Sequence, residues 1–191
     1  MAEHGVELRA ASLADTHRVA AAVADVLRTG DIVVLAGEMG AGKTAFAQGV
    51  GRALGITEPV TSPTFTLVHS YPVPESAGRG KLTLHHADLY RLDRTTEVAD
   101  LALNELAEDR GAVLIEWGDV VEAMFGDHLL VHLDADLGDD DLGDDVPDDD
   151  PGHLADDFGL DARRLVTLSA SGGAWAGRWQ ALIADLEDLR C

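Results

Sequence analysis

Cysteine, long apolar runs and basic residues are all scarce in this chain, and each scarcity removes a class of protein. One cysteine in 191 residues, Cys191 at the very end, excludes an internal disulfide and fits a reducing cytoplasm. No stretch approaches the roughly 18 apolar residues that a membrane span requires. Met1 to Ala11 carries acidic residues and lacks the basic-then-apolar order of a signal peptide, so no membrane or secretory role is expected. Lysine and arginine number 14 against 35 aspartates and glutamates, a formal net charge of −21. Twelve of the aspartates lie between Asp134 and Asp157, where no lysine or arginine stands, and the rest of the chain still carries −9. Such a surface is ill suited to extended contact with a nucleic-acid backbone, which needs clustered Lys and Arg. Any RNA is expected to be held by another protein. Aromatic residues make up only 5% of the chain, beside 46% hydrophobic residues and 20 glycines, the profile of a small α/β protein. At this length a single domain over residues 1–191 is expected, burying roughly 70% of its unfolded surface.

What is present is organised by Gly37-Glu38-Met39-Gly40-Ala41-Gly42-Lys43-Thr44, which fits the phosphate-loop pattern G-x-x-x-x-G-K-[ST] at every fixed position. The apolar run Ile32–Leu35 leads into it as a buried strand, and Thr44 to Leu54 reads as a helix stopped by Gly55. Strand, glycine loop and helix together set backbone N–H groups and a positive helix end around one anion. Lys43 is then expected on the β- and γ-phosphates, with Thr44 and an acid holding magnesium. Glu38, Met39, Gly40, Ala41 and Gly42 complete the nucleotide-contacting loop. The guanine signature N/T-K-x-D is absent, the only asparagine being Asn104 inside a predicted helix, which favours ATP.

Three later stretches offer chemistry to that loop. Ser62-Pro63-Thr64-Phe65-Thr66 packs three hydroxyls around a proline, either to reach the γ-phosphate, its metal or the attacking water, or as an ordinary turn into a strand at Thr66–His69. Lys81–His86 alternates as a strand, and Asp88 follows its carboxyl end, where α/β sheets place ligands; it is a water-orienting or metal-contacting group, or a turn cap. Ala112–Ile115 is a buried strand ending in Glu116, whose carboxylate emerges beside the phosphates and magnesium or else faces water. Trp117 follows, as a core or a surface residue. His85 and His86 point to opposite faces of a regular strand and cannot share one ion, so zinc is not expected.

The remaining pattern is structural. Ser12 and Asp15 have capping-box spacing and open a helix that Gly30 ends, with Val19, Ala20, Val23, Val26 and Leu27 on its inner face. Thr95 to Asp109 reads as one helix, with Val98, Leu101, Ala102 and Leu106 apolar. Leu129–Leu133 and Arg163–Leu168 read as paired strands, and the aspartate-rich stretch between them, at about 134–160, as a solvated, disordered insertion. Ala174 to Leu189 closes the chain as an amphipathic helix carrying Trp175, Trp179, Leu182, Ile183 and Leu186.

Gly37–Thr44 (GEMGAGKT), Thr61–Val68 (TSPTFTLV), His86–Leu92 (HADLYRL) and Leu114–Trp117 (LIEW) occur in that order at close spacing. Together they resemble the TsaE family, the small ATPase of bacterial tRNA threonylcarbamoyladenosine synthesis. The resemblance covers about residues 12–133 and resumes weakly from Arg163. It implies the three-layer P-loop nucleoside triphosphate hydrolase fold, a central mixed β-sheet flanked by helices. It also implies ATP and Mg2+ as cofactors, and a role in placing threonylcarbamoyl on N6 of adenosine 37 in tRNAs that read A-starting codons. In that family the ATPase serves the TsaB–TsaD pair, whose TsaD is the transferase, so tRNA is met only through the complex. Carried over, Thr44 and Glu116 are magnesium ligands, Asp88, Glu116 and Lys43 the catalytic set, Leu13 lies near the nucleotide and Ser62–Thr66 is a switch segment. Trp117 matches a tryptophan beside the site. Two departures from the usual GDLGAGKT fall at variable loop positions, Ala87 replaces a common aromatic, and the aspartate-rich insertion has no family counterpart. No arginine finger stands out in the sequence; Arg91 is one candidate, its direction not legible from sequence. A small-molecule kinase and a nucleotide-dependent binding switch are the alternatives that the same loop would serve.

Overall fold

The computed structural model describes residues 4–78, 80–92, 95–135 and 163–191. Among these residues, seven strands form one mixed sheet in the order β1-β7-β6-β2-β5-β4-β3. Its centre is β2 (Ile32–Ala36) beside β5 (Gly111–Glu116), both buried at every position, as continuous apolar runs with neighbours on both faces should be. β6 (His128–Ala135) and β4 (Thr83–Asp88) extend this core in parallel on either side. The outer strands β7 (Arg164–Ser171), β1 (His4–Ala10) and β3 (Val68–Pro72) pair antiparallel. Four adjacent parallel strands therefore deliver their carboxyl ends to one edge. That edge carries the phosphate loop.

Strand alternation divides the core between the two faces. Val33, Leu35, Leu84 and Leu114 join the cluster under α1 (Leu13–Val26) and α2 (Lys43–Ala53). Ile32, Val34, Val113 and Ile115 face the other way, toward α3 (Thr95–Ala99), α4 (Leu103–Glu108) and Phe125. The expected three-layer α/β architecture with a mixed central sheet is what these two clusters enclose. α1 begins as read, with Ser12 as N-cap accepting from Asp15 N at 3.2 Å. It ends at Val26 rather than at Gly30, whose N–H instead reaches the carbonyls of Ala107 and Gly111. α2 ends in a Schellman closure, Gly55 N to Arg52 O and Ile56 N to Gly51 O, with Gly55 at φ 77°.

β1 was not expected; in it Val6, Leu8 and Ala10 alternate with their neighbours, and Leu8 and Ala10 are buried. Three further expectations need correction. The strand placed at Thr66–His69 runs from Val68 to Pro72, because Leu67 turns at φ 65° and donates back to Pro63 O. The helix expected over 95–109 is two helices, broken at Ala102 in the left-handed region (φ 49°), which turns Leu103 and Ala107 inward. The C-terminal helix is likewise split into α5 (Gly173–Ala176), α6 (Trp179–Ile183) and a 3₁₀ segment (Ala184–Leu189), with Gly177 at the first break. Its five apolar residues are nevertheless all buried. β6 retains Asp134 and Ala135 as strand, and the rest of the aspartate-rich insertion lies outside the described residues.

Candidate active site

The phosphate loop bridges β2 and α2 with glycines where the backbone turns through the left-handed region. Gly37, Gly40 and Gly42 all have positive φ (127°, 81° and 106°). A Cβ on Gly37 would collide with the Leu133 carbonyl of β6, so the loop lies tight against the neighbouring strand. Lys43, the first residue of α2, donates from Nζ to Gly37 O at 2.7 Å and Glu38 O at 2.8 Å. The same Nζ stands 3.6 Å from the centroid of the Trp117 ring. Burial holds the Lys43 ammonium below the usual lysine value, against the opposing pull of Glu116, Asp119 and Asp88. A lysine chain pinned by loop carbonyls and an indole is pre-set for an anion in the loop.

The parallel register brings the acids to it. Leu35, two residues before the loop, pairs with Glu116, and Glu116 pairs with Asp88. Both acids are almost fully buried, at 3% and 4% exposure. Thr44 Oγ1 donates to Glu116 at 2.9 Å (Oε1) and 3.2 Å (Oε2). Asp88 Oδ2 accepts from Ser62 Oγ at 2.5 Å and Thr64 Oγ1 at 3.0 Å, and its Oδ1 accepts the Tyr90 N–H. Two of the hydroxyls around Pro63 are thus tied to the strand-end aspartate, and the residue at the turn, Leu67, takes Asp88 N on its carbonyl. A cavity of about 340 Å³ joins these groups, lined by Met39, Gly40, Lys43, Thr44, Asp88 and Glu116 among others.

A family model described as the threonylcarbamoyl adenosine biosynthesis protein TsaE matches residues 10–141. The chain belongs to the TsaE family. Curated relatives named tRNA threonylcarbamoyladenosine biosynthesis protein TsaE include that of Streptomyces coelicolor, 41% identical over 81% of this chain and 89% of its own length. That of Treponema pallidum is 42% identical over 62% of this chain and 83% of its own. The crystal structure of Bacillus subtilis YdiB superposes with a TM-score of 0.65 at 25% identity, covering 98% of this chain and 97% of that one.

Against the residues expected from TsaE, the structure brings Met39, Gly40, Gly42, Lys43, Thr44, Asp88, Glu116 and Trp117 to one cavity. Ala41 is buried within the loop, Glu38 contributes its carbonyl to Lys43, and Leu13 opens α1 half-buried; none of the three lines the cavity. Arg91 is exposed and stacks its guanidinium 4.5 Å from the centroid of the Phe65 ring.

Two contacts were not anticipated. Arg164, buried on β7, donates from Nε to Ala41 O at 2.8 Å, supporting the loop from below. Its signal was an arginine at an inward position of an otherwise apolar alternation, Val166, Leu168 and Ala170. His86 Nε2 meets Glu116 Oε1 at 2.9 Å, whereas His85 faces the other way and bonds Ser70 Oγ. Alternation along β4 sends the two rings to opposite faces, and it is His86 that meets the site.

Proposed function

We propose that this chain is a Mg2+-dependent ATPase that serves threonylcarbamoylation of adenosine 37 in tRNAs reading A-starting codons, acting with a TsaB–TsaD transferase pair. The observation that carries the nucleotide part is the Thr44 hydroxyl held on Glu116 at the mouth of a loop whose lysine is already in place. A hydroxyl and a carboxylate are hard oxygen donors, the set that magnesium takes beside nucleotide phosphates. The donor set therefore fits the ion. Bound there, magnesium would draw negative charge from the β- and γ-phosphate oxygens. Lys43 supplies the second positive charge, exchanging loop carbonyls for phosphate oxygens. Asp88, with Ser62 and Thr64 fixed on it, is the acceptor that orients the attacking water. The biosynthetic part rests on family membership, and on charge: a chain this acidic does not grip tRNA unaided. Exposed Met39 (71%), Phe65 (84%) and Tyr90 (50%) around the cavity offer apolar surface to a partner protein.

No arginine of this chain lines the cavity among the described residues, and a missing arginine finger costs about 10³–10⁵ in rate. Slow hydrolysis alone and marked acceleration by TsaB–TsaD are therefore expected. The test is reconstitution: the purified chain, TsaB–TsaD, tRNA, ATP and the threonylcarbamoyl donor, scored for modified adenosine and released phosphate. Lys43→Ala and Glu116→Ala should abolish both readouts while circular dichroism stays native. Wild-type turnover by either folded variant would sink the site assignment. Phosphate transfer from ATP to a small molecule rather than to water would favour a kinase.

A further inference from the structure

His86 is fully buried on β4, two residues before Asp88 and on the same sheet face. Its Nε2 lies 2.9 Å from Glu116 Oε1, while its Nδ1 has no hydrogen-bond partner. With the Glu116 carboxylate as acceptor, Nε2 is the donor of this bond, and Nδ1 makes none. Burying an unpartnered polar atom costs stability that a leucine would not. The fold retains the ring in spite of that cost, so what the other nitrogen does is the informative part.

Glu116 Oε1 takes two donors, Thr44 Oγ1 from the first turn of α2 and His86 Nε2 from β4. A glutamate side chain ending a strand has a soft terminal torsion, and one donor leaves its plane free to rock. Two donors from separate elements fix both plane and direction. Partners of this kind, hydrogen-bonded to a metal-binding carboxylate, set its orientation and its affinity. We propose that His86 is a positioning residue, whose Nε2–H holds the Glu116 carboxylate in the orientation in which Glu116 and Thr44 take up a divalent cation. This rests on the magnesium site proposed above.

The purified full chain tests it by equilibrium binding of a fluorescent, non-hydrolysable ATP analogue, titrated with Mg2+ and separately in EDTA. His86→Leu should raise the magnesium concentration needed for half-maximal tightening by about 10–100-fold, the usual cost of losing such a partner. Metal-free affinity for the analogue should not change. His86→Gln, whose amide N–H can replace Nε2–H, should recover most of the loss, whereas the shorter His86→Asn should not. The Gln–Asn comparison also serves if the leucine variant fails to fold. An unchanged magnesium midpoint in His86→Leu, with a shifted one in Glu116→Gln, would overturn the positioning role alone. Equal losses with and without metal would assign His86 to structure and overturn it too. If Glu116→Gln itself left the midpoint in place, the magnesium site and the positioning role would both fall.

Discussion

His17 shows how one side chain in the α1–α2 seam ties stability to pH. Arg52 Nη1 approaches its Nδ1 at 3.0 Å, and its Nε2 is buried without a partner. Burial, then the Arg52 charge, lowers its pKa from 6.5, partly offset by a backbone bond at Ala45. The neutral ring is thus the folded form. The unfolded chain takes up the proton first as pH falls below 6.5, so this contribution is complete above 6.5 and declines below it. His85, lowered by burial and partly raised again by the Asp109 charge, has the same sign. His17→Gln should therefore lose less Tm than the parent between pH 7.5 and 5.5. An identical drop in both proteins would show that His17 does not contribute. The variant still carries His85 and every carboxylate, so a reduced slope, not a flat one, is expected.

Backbone strain at the level of the element gathers near the site and at helix breaks. Among the described residues, four non-glycine residues have positive φ: Leu67, Ala102, Arg110 and Trp117. Leu67 turns the chain beside Asp88, and Trp117, at φ 62°, turns it sharply after Glu116 and lays the indole against Lys43. A bulky residue in that region is held there by its surroundings at roughly 1–3 kcal/mol. Ala102 is different, since it only redirects α4. There Ala102→Gly should raise stability, by up to about 1 kcal/mol, because the left-handed cost of a Cβ is removed. Were 95–109 one continuous helix, the same glycine would lower stability by about 1 kcal/mol. Urea unfolding of the two proteins decides the sign.

At the scale of the whole molecule, the C-terminal segment is clasped to the sheet at the edge opposite the loop. Arg178 donates from Nη1 and Nη2 to Asp31 at 2.6 and 2.8 Å and from Nη1 to Val26 O, and stacks on Trp175. Both charged residues are buried, so removing one partner strands the other. Arg178→Met is expected to cost about 3–5 kcal/mol. Nucleotide affinity of the folded fraction should not change, because Asp31 enters β2 at its amino end and the loop leaves at the carboxyl end. A loss below about 1 kcal/mol, the size of an exposed pair, would mean the clasp is solvated.

Much of the site was legible because its determinants are local. Glycine spacing with Lys43 and Thr44 specifies the loop whatever surrounds it, and a buried apolar run ending in an acid specifies Glu116. Asp88 was legible for the same reason, at the end of an alternating run. The capped start of α1 and the glycine closure of α2 were likewise written in adjacent residues. What needed tertiary structure were relations between distant strands: Arg164 beneath Ala41, 123 positions apart, and His86 on Glu116, 30 apart. The helix break at Ala102 also needed it, because local propensity favours continuing a helix there and only burial of Leu103 and Ala107 rewards stopping. The sequence by itself determined which groups are present at the carboxyl ends of the strands. The order of the strands, fixed by which faces must be buried together, decided which of those groups touch.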